Sequence, residues 1–171
     1  ENKFIQEISL IDDIFNLDGL VNIESGIIID SKDNPEKLIW NKINQTFFSY
    51  QMNKYQLHRG VGCPHYIGID AAKSAKGDVF GFCMFHYERD FINNKTYRII
   101  DMNFAFLPGE NGINLQAVEN FIIDLVELGN VWVKEIFLDS AISDTYKQNL
   151  NRYGIKTTGQ SISGISSLEP H

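Results

Sequence analysis

An α/β domain built on a mixed sheet is the fold class this sequence predicts, and three observations predict it. Strand-like stretches crowd the middle of the chain: Tyr66-Ile67-Gly68-Ile69-Asp70, a run from about Val79 to Tyr87, and Tyr97 to Phe106. Two amphipathic helical patterns then alternate with two more strand-like runs, Trp132 to Leu138 and Ile155 to Thr158. Finally, 43% of the 171 residues are hydrophobic and 12% aromatic, enough to bury a core between those layers. The order is β-β-β-α-β-α-β, which gives a five-stranded sheet flanked by helices.

Residues 1 to about 31 read as short apolar segments, among them Gly26-Ile27-Ile28-Ile29-Asp30, and name no chemistry. Asp33-Asn34-Pro35-Glu36 is a helix start, with a capping side chain, a first-turn proline and an acid near the positive end of the dipole. Ile39, Ile43 and Phe47 follow at helical spacing, so a helix is expected over about 35–50. Residues 51–64 are polar, end in Gly60-Val61-Gly62-Cys63-Pro64, and read as a linker. The three central strands are joined by short connections, one of them the Asn93-Asn94 turn, and form an antiparallel meander.

Asn114 is a good N-cap for a helix whose apolar face is Leu115, Val118, Phe121, Ile122, Leu125 and Leu128, stopped by Gly129. Ser143 is the expected cap of the next helix, on which Tyr146, Leu150 and Tyr153 share a face. The first helix of this pair is the crossover that a parallel fourth strand requires. If the fourth strand docks beside the first, Asp70 and Asp139 end neighbouring parallel strands, about 4.8 Å apart. Carboxylates so close repel unless a cation lies between them, so the pattern predicts a divalent metal site. Asp70 is otherwise a turn-capping residue before Ala71-Ala72.

The formal charge of −7 and a pI near 5.0 exclude nucleic-acid binding by bulk positive charge, so any such role rests on a local patch. Cys63 and Cys83 lack CxxC spacing, which indicates neither a zinc site nor a disulfide framework. No stretch has the length of a membrane span, and no signal peptide opens the chain. The chain begins at Glu1 rather than Met and ends Ser167-Leu168-Glu169-Pro170-His171, which reads as a tag remnant over 166–171 on an excised fragment.

The strand order, with Asp ending strand one and Asp ending strand four, resembles the ribonuclease H-like fold. More narrowly, Tyr66-Ile67-Gly68-Ile69-Asp70 with Gly77-Asp78 behind it, and Ile136-Phe137-Leu138-Asp139-Ser140 followed by a helix and Gly154-Ile155, resemble the nuclease domain of the large terminase subunit of tailed bacteriophages. The resemblance covers residues 66–160, a little over half the chain. It implies a nuclease domain over 65–165, a lead-in segment over 1–64, and an endonuclease that cuts concatemeric double-stranded DNA during packaging. In that family three acids hold two Mg²⁺ or Mn²⁺ ions for phosphodiester hydrolysis. Asp70 and Asp139 would be catalytic metal ligands here, with Asp78 a further candidate ligand. The third acid normally lies beyond the fifth strand, past the end of this chain, which puts the activity of the fragment in question. The implied partners are DNA, the packaging ATPase domain of the same polypeptide, the small terminase subunit and the portal, in the cytoplasm of an infected bacterium.

Lys73 and Lys76 flank the loop after Asp70 and are candidate phosphate contacts, although surface lysines are more often simply solvated. Asp101 lies within the third strand, and His65 and His86 are expected to cap or flank strands. No GxxxxGK[ST] loop is present, so this piece is not a P-loop motor. Two rival readings remain. An actin-like or sugar-kinase-like ATP-binding domain also opens on Ile-Gly-Ile-Asp, but has a Gly-Thr or Gly-Ser turn where this chain has Ala71-Ala72-Lys73. The other rival is a DNA-docking module of the same fold with an incomplete acid cluster.

Overall fold

A computed structural model describes residues 26–70 and 80–160. Eight strands and three helices are formed among them. The strands are β1 (Ile27–Ile29), β2 (Phe48–Gln51), β3 (Lys54–Leu57), β4 (Pro64–Asp70), β5 (Phe80–Asp90), β6 (Lys95–Pro108), β7 (Trp132–Asp139) and β8 (Lys156–Gln160). The helices are α1 (Leu38–Phe47), α2 (Leu115–Glu127) and α3 (Ser140–Asn151).

The main sheet is mixed and six-stranded, in the order β1-β6-β5-β4-β7-β8. Strands β4, β5 and β6 form the expected antiparallel meander, while β4–β7 and β7–β8 are parallel pairs. The α2 crossover therefore returns the chain to the open side of β4, as the geometry of a parallel connection demands. The sixth strand is a departure from the sequence reading: β1 pairs parallel with β6, Ile27 opposite Phe106.

Alternation along the strands divides the sheet into two faces. Ile67 and Ile69, Phe82 and Met84, and Ile136 and Leu138 share one core with residues of all three helices. Its centre is aromatic: Phe82 stacks on Phe104 with ring centroids 5.0 Å apart, and Phe121 of α2 meets Phe82 at 5.4 Å. Asp70 and Asp139 alternate with these residues and so project from the opposite face.

Three local expectations change. Helix α1 covers Leu38–Phe47 rather than 35–50, and Phe48 is already extended at φ −126°, ψ 148°. Residues 51–64 are not simply a linker, because β2 and β3 pair as a hairpin. Its turn residues Met52 and Asn53 both have positive φ, 54° and 60°, the twist that a two-residue hairpin turn requires. Finally, α3 begins at Ser140, capped by Asp139 rather than by Ser143. The Asn114 cap of α2 is as expected: its Oδ1 accepts from Ala117 N at 3.0 Å.

Candidate functional site

The parallel register fixes the acid pair. Gly68 lies opposite Phe137, and Asp70 and Asp139 each follow two residues later at the carboxyl ends of β4 and β7. Both are half-buried. Asp139 Oδ1 accepts from Ala141 N at 2.9 Å, so the carboxylate is fixed by the first turn of the helix it caps. Side chains with matching register on adjacent parallel strands share a face about 4.8 Å apart. Asp70 and Asp139, the two acids that the sequence singled out, thus end neighbouring parallel strands.

Lys73, Lys76 and Asp78 lie outside the described residues. Among those described, no third acid, histidine or cysteine joins Asp70 and Asp139 in a group close enough to share a metal. Asp101 does not serve there. It is the bulged residue of β6 between Ile100, opposite Phe85, and Met102, opposite Met84. That level matches Tyr66 on β4, about 13 Å along the strand from Asp70 at 3.3 Å per residue.

A second cluster forms at that other end of the sheet. His65 of β4 and His86 of β5 are each 1% exposed, with ring centroids 5.4 Å apart. They do not flank the strands, as expected from sequence, but belong to them and point inward. Asp101 Oδ2 lies 2.6 Å from His86 Nδ1 and 3.3 Å from His65 Nε2. Glu88 Oε2 is 2.6 Å from His86 Nε2. Cys63, in the turn before β4, donates its Sγ–H to the carbonyl of Gly60 at 3.1 Å. One donor atom each from Cys63, His65 and His86 lie within 4.8 Å of one another, close enough to hold a metal ion.

Electrostatics follow from these contacts. Burial pushes the Cys63 thiol above its ordinary value, and the negative charge of Asp101 adds to that. Burial alone would lower His86, but the hydrogen bonds to Asp101 and Glu88 outweigh it and leave the imidazole raised. Cys83 lies elsewhere in the interior of β5, where burial raises its thiol to about 12.

No protein-family model, curated protein or solved structure matches this chain. Its function is therefore read from its own residues. Spacing in the sequence indicated no zinc site, because the three donors come from a turn and two strands and only the β4–β5 register makes them neighbours. The local signal was present in Cys63-Pro64-His65, but the ligand that completes the group lies 21 residues further on at position 86. Among the described residues, no helix is long and apolar enough to cross a membrane.

Proposed function

We propose that this chain is a divalent-metal-dependent nuclease domain with a ribonuclease H-like sheet, and that Asp70 and Asp139 are its metal ligands. The observation that supports the reading is the parallel pairing of β4 with β7, two neighbouring strands that end in Asp70 and Asp139. Strand order supports it: a meander whose first strand pairs with the strand after a crossover helix, followed by one more parallel strand, is the order the resemblance implies. The donor set is all oxygen, which suits Mg²⁺ or Mn²⁺ rather than a softer ion.

Bound there, such an ion supplies positive charge to an attacking water and to the leaving oxygen of a phosphodiester. The chain's own residues supply the rest. Asp139, fixed by the α3 N-terminus, presents a carboxylate of set direction, and Asp70 does so from the end of a buried strand. Lys73 and Lys76, next in the chain after Asp70, are proposed to meet backbone phosphates and offset the overall negative charge locally. The narrower reading is a terminase nuclease acting on concatemeric viral DNA, with the ATPase domain, small subunit and portal as its partners. Its support is the pair of motifs around Asp70 and Asp139.

The test is cleavage of supercoiled plasmid with Mn²⁺ or Mg²⁺ by the protein and by Asp70→Asn. Metal-dependent nicking that disappears in the variant supports the proposal. Cleavage at an unchanged rate by Asp70→Asn refutes the assignment, and ATP binding with no DNA cleavage would favour the kinase-like alternative. Replacing Lys73 and Lys76 by Ala should flatten the salt dependence of DNA binding by about two ion equivalents.

A further inference from the structure

The cluster at the opposite end of β4 has the chemistry of a different ion. We infer that Cys63, His65 and His86, with Asp101, form a Zn²⁺ site that ties the turn at Gly60–Cys63 to strands β4, β5 and β6. It is independent of the acid pair: His65 and Asp70 are separated by five residues of extended strand, about 17 Å.

The first support is the donor set. A thiolate and two imidazoles select zinc over hard cations, and its bond lengths of about 2.0–2.3 Å put tetrahedral donors roughly 3.3–3.6 Å apart. The three donors already lie within 4.8 Å of one another, so closure asks for movements of about 1 Å.

The second support is an unmet need inside the cluster. Neither ring nitrogen of His65 has a hydrogen-bond partner, although the side chain is 1% exposed. A buried neutral imidazole without a donor or acceptor partner is costly, and buried polar atoms in folded proteins are nearly always satisfied. Asp101 is equally telling. Its side chain is 2% exposed, its Oδ2 stands beside both rings, and its Oδ1 has no partner. An imidazolium–carboxylate pair accounts for His86, which faces a carboxylate on each side, whereas Asp101 Oδ2 reaches His65 Nε2 only at 3.3 Å and makes no hydrogen bond there. A cation between the rings gives His65 Nε2 a partner as well.

The third support is the fit of the turn. Gly60 has φ +71°, and a Cβ there would stand 2.9 Å from both His65 Nε2 and His86 Nδ1. Backbone is thus pressed against the nitrogens that Asp101 Oδ2 also approaches. These two nitrogens and Cys63 Sγ are the assigned ligands, and Asp101 Oδ2, now hydrogen-bonded to His86 Nδ1 at 2.6 Å, is the fourth donor once it draws back from that nitrogen to the ion. Glu88 accepts from the far N–H of His86 and fixes its tautomer, the usual partner of a metal-bound histidine. On binding, the Cys63 thiol gives its proton to solvent and the Gly60 carbonyl loses that hydrogen bond. One thiolate and one carboxylate then neutralise the two charges of the ion, which lets it be buried.

The experiment is Zn²⁺ titration of the demetallated full chain against a chromophoric chelator, with Co²⁺ substitution read by absorbance. One equivalent of Zn²⁺ and a thiolate-to-cobalt charge-transfer band are expected. Cys63→Ser, at a half-exposed position, should remove the band and weaken Zn²⁺ by tenfold or more, while Cys83→Ala and Asp70→Asn keep both. Asp101→Asn should weaken binding by about 10–100-fold. Chelation should lower the melting temperature of the wild type but not of Cys63→Ser. Should a variant fail to fold by circular dichroism, the wild-type cobalt spectrum decides alone. Absence of stoichiometric Zn²⁺ binding, a cobalt spectrum without the thiolate band, or a band that survives Cys63→Ser overturns the site.

Discussion

Replacing Asp124 by Asn should stabilise the protein, and only above a defined pH. Asp124 lies near the C-terminus of α2, the negative end of the helix dipole. Its Oδ2 is buried without a hydrogen-bond partner. Burial raises its pKa from 3.8 to about 6, opposed by Lys37 and assisted by Glu127 and Glu36. The folded carboxyl therefore keeps its proton up to about pH 6, while the unfolded one releases it near 3.8. Between those values the folded state binds more protons than the unfolded state, so stability falls as pH rises. Two units at about 1.4 kcal/mol each set a ceiling of ~3 kcal/mol. Because the side chain is half-exposed, solvent screening reduces this to on the order of 1 kcal/mol. Urea unfolding of both proteins from pH 4 to 8 measures it. The variant should match the wild type near pH 4, gain through pH 4–6, and hold a constant advantage from pH 7. A pH-independent difference, or a variant less stable at pH 7, would mean that pairing with Lys37 outweighs burial and would refute the reasoning.

Asp139 is proposed to have two roles that substitution can separate. Asp139→Asn should abolish Mn²⁺ binding at the acid pair yet keep the α3 cap, whereas Asp139→Ala should also cost about 1 kcal/mol in urea unfolding. Tyr146 OH donates to the Leu115 carbonyl at 2.6 Å and joins α3 to α2 within the core, so Tyr146→Phe should cost about 1 kcal/mol with no change in the slope of the unfolding curve. Gly159 lies against Ser143 Oγ and the Ser140 backbone with no room for a Cβ. Gly159→Ala should destabilise by about 1–3 kcal/mol, and adding Ser143→Gly should recover part of that loss in a double-mutant cycle.

What the sequence made legible were features encoded locally or forced by topology. The Asn114 cap could be read because a cap is a bond between residues three apart. The parallel pairing of β4 with β7 could be read because a strand–helix–strand unit has few places to dock. The placement of Asp70 and Asp139 at neighbouring strand ends follows from that pairing. Features that depend on distant partners were not legible. Strand β1 is three residues long and its partner Phe106 lies 79 positions from Ile27, so nothing near it announces a strand of the main sheet. The β2–β3 turn uses Met52-Asn53 in place of the Asn-Gly or Gly-containing pairs that signal a hairpin, and helical spacing through Phe47 obscured the boundary. Helix α3 follows β7 with no loop between them, so the strand's last residue is also the cap. Ser143, three residues later, is already helical and donates to the Ser140 carbonyl at 3.0 Å.

The β5–β6 ribbon has a mechanical consequence. Strand β4 pairs with β5 only as far as Phe85, opposite Tyr66, while β5 and β6 continue pairing to Asp90 and Lys95. The five residues past Phe85 make a two-stranded arm about 16 Å long, whose tip carries the exposed side chains of Phe91 and Ile92. Were such an arm to turn about His86 as a fulcrum, it would act as a lever. A rotation of 10° there displaces the tip by about 3 Å, given that length. His86, held by carboxylates on both sides, and Arg59, whose guanidinium donates to the Ile100 carbonyl at 2.6 Å, are the fastenings at that fulcrum. If the arm turns about that point, a change in ligation or charge at His86 would be magnified at its apolar tip.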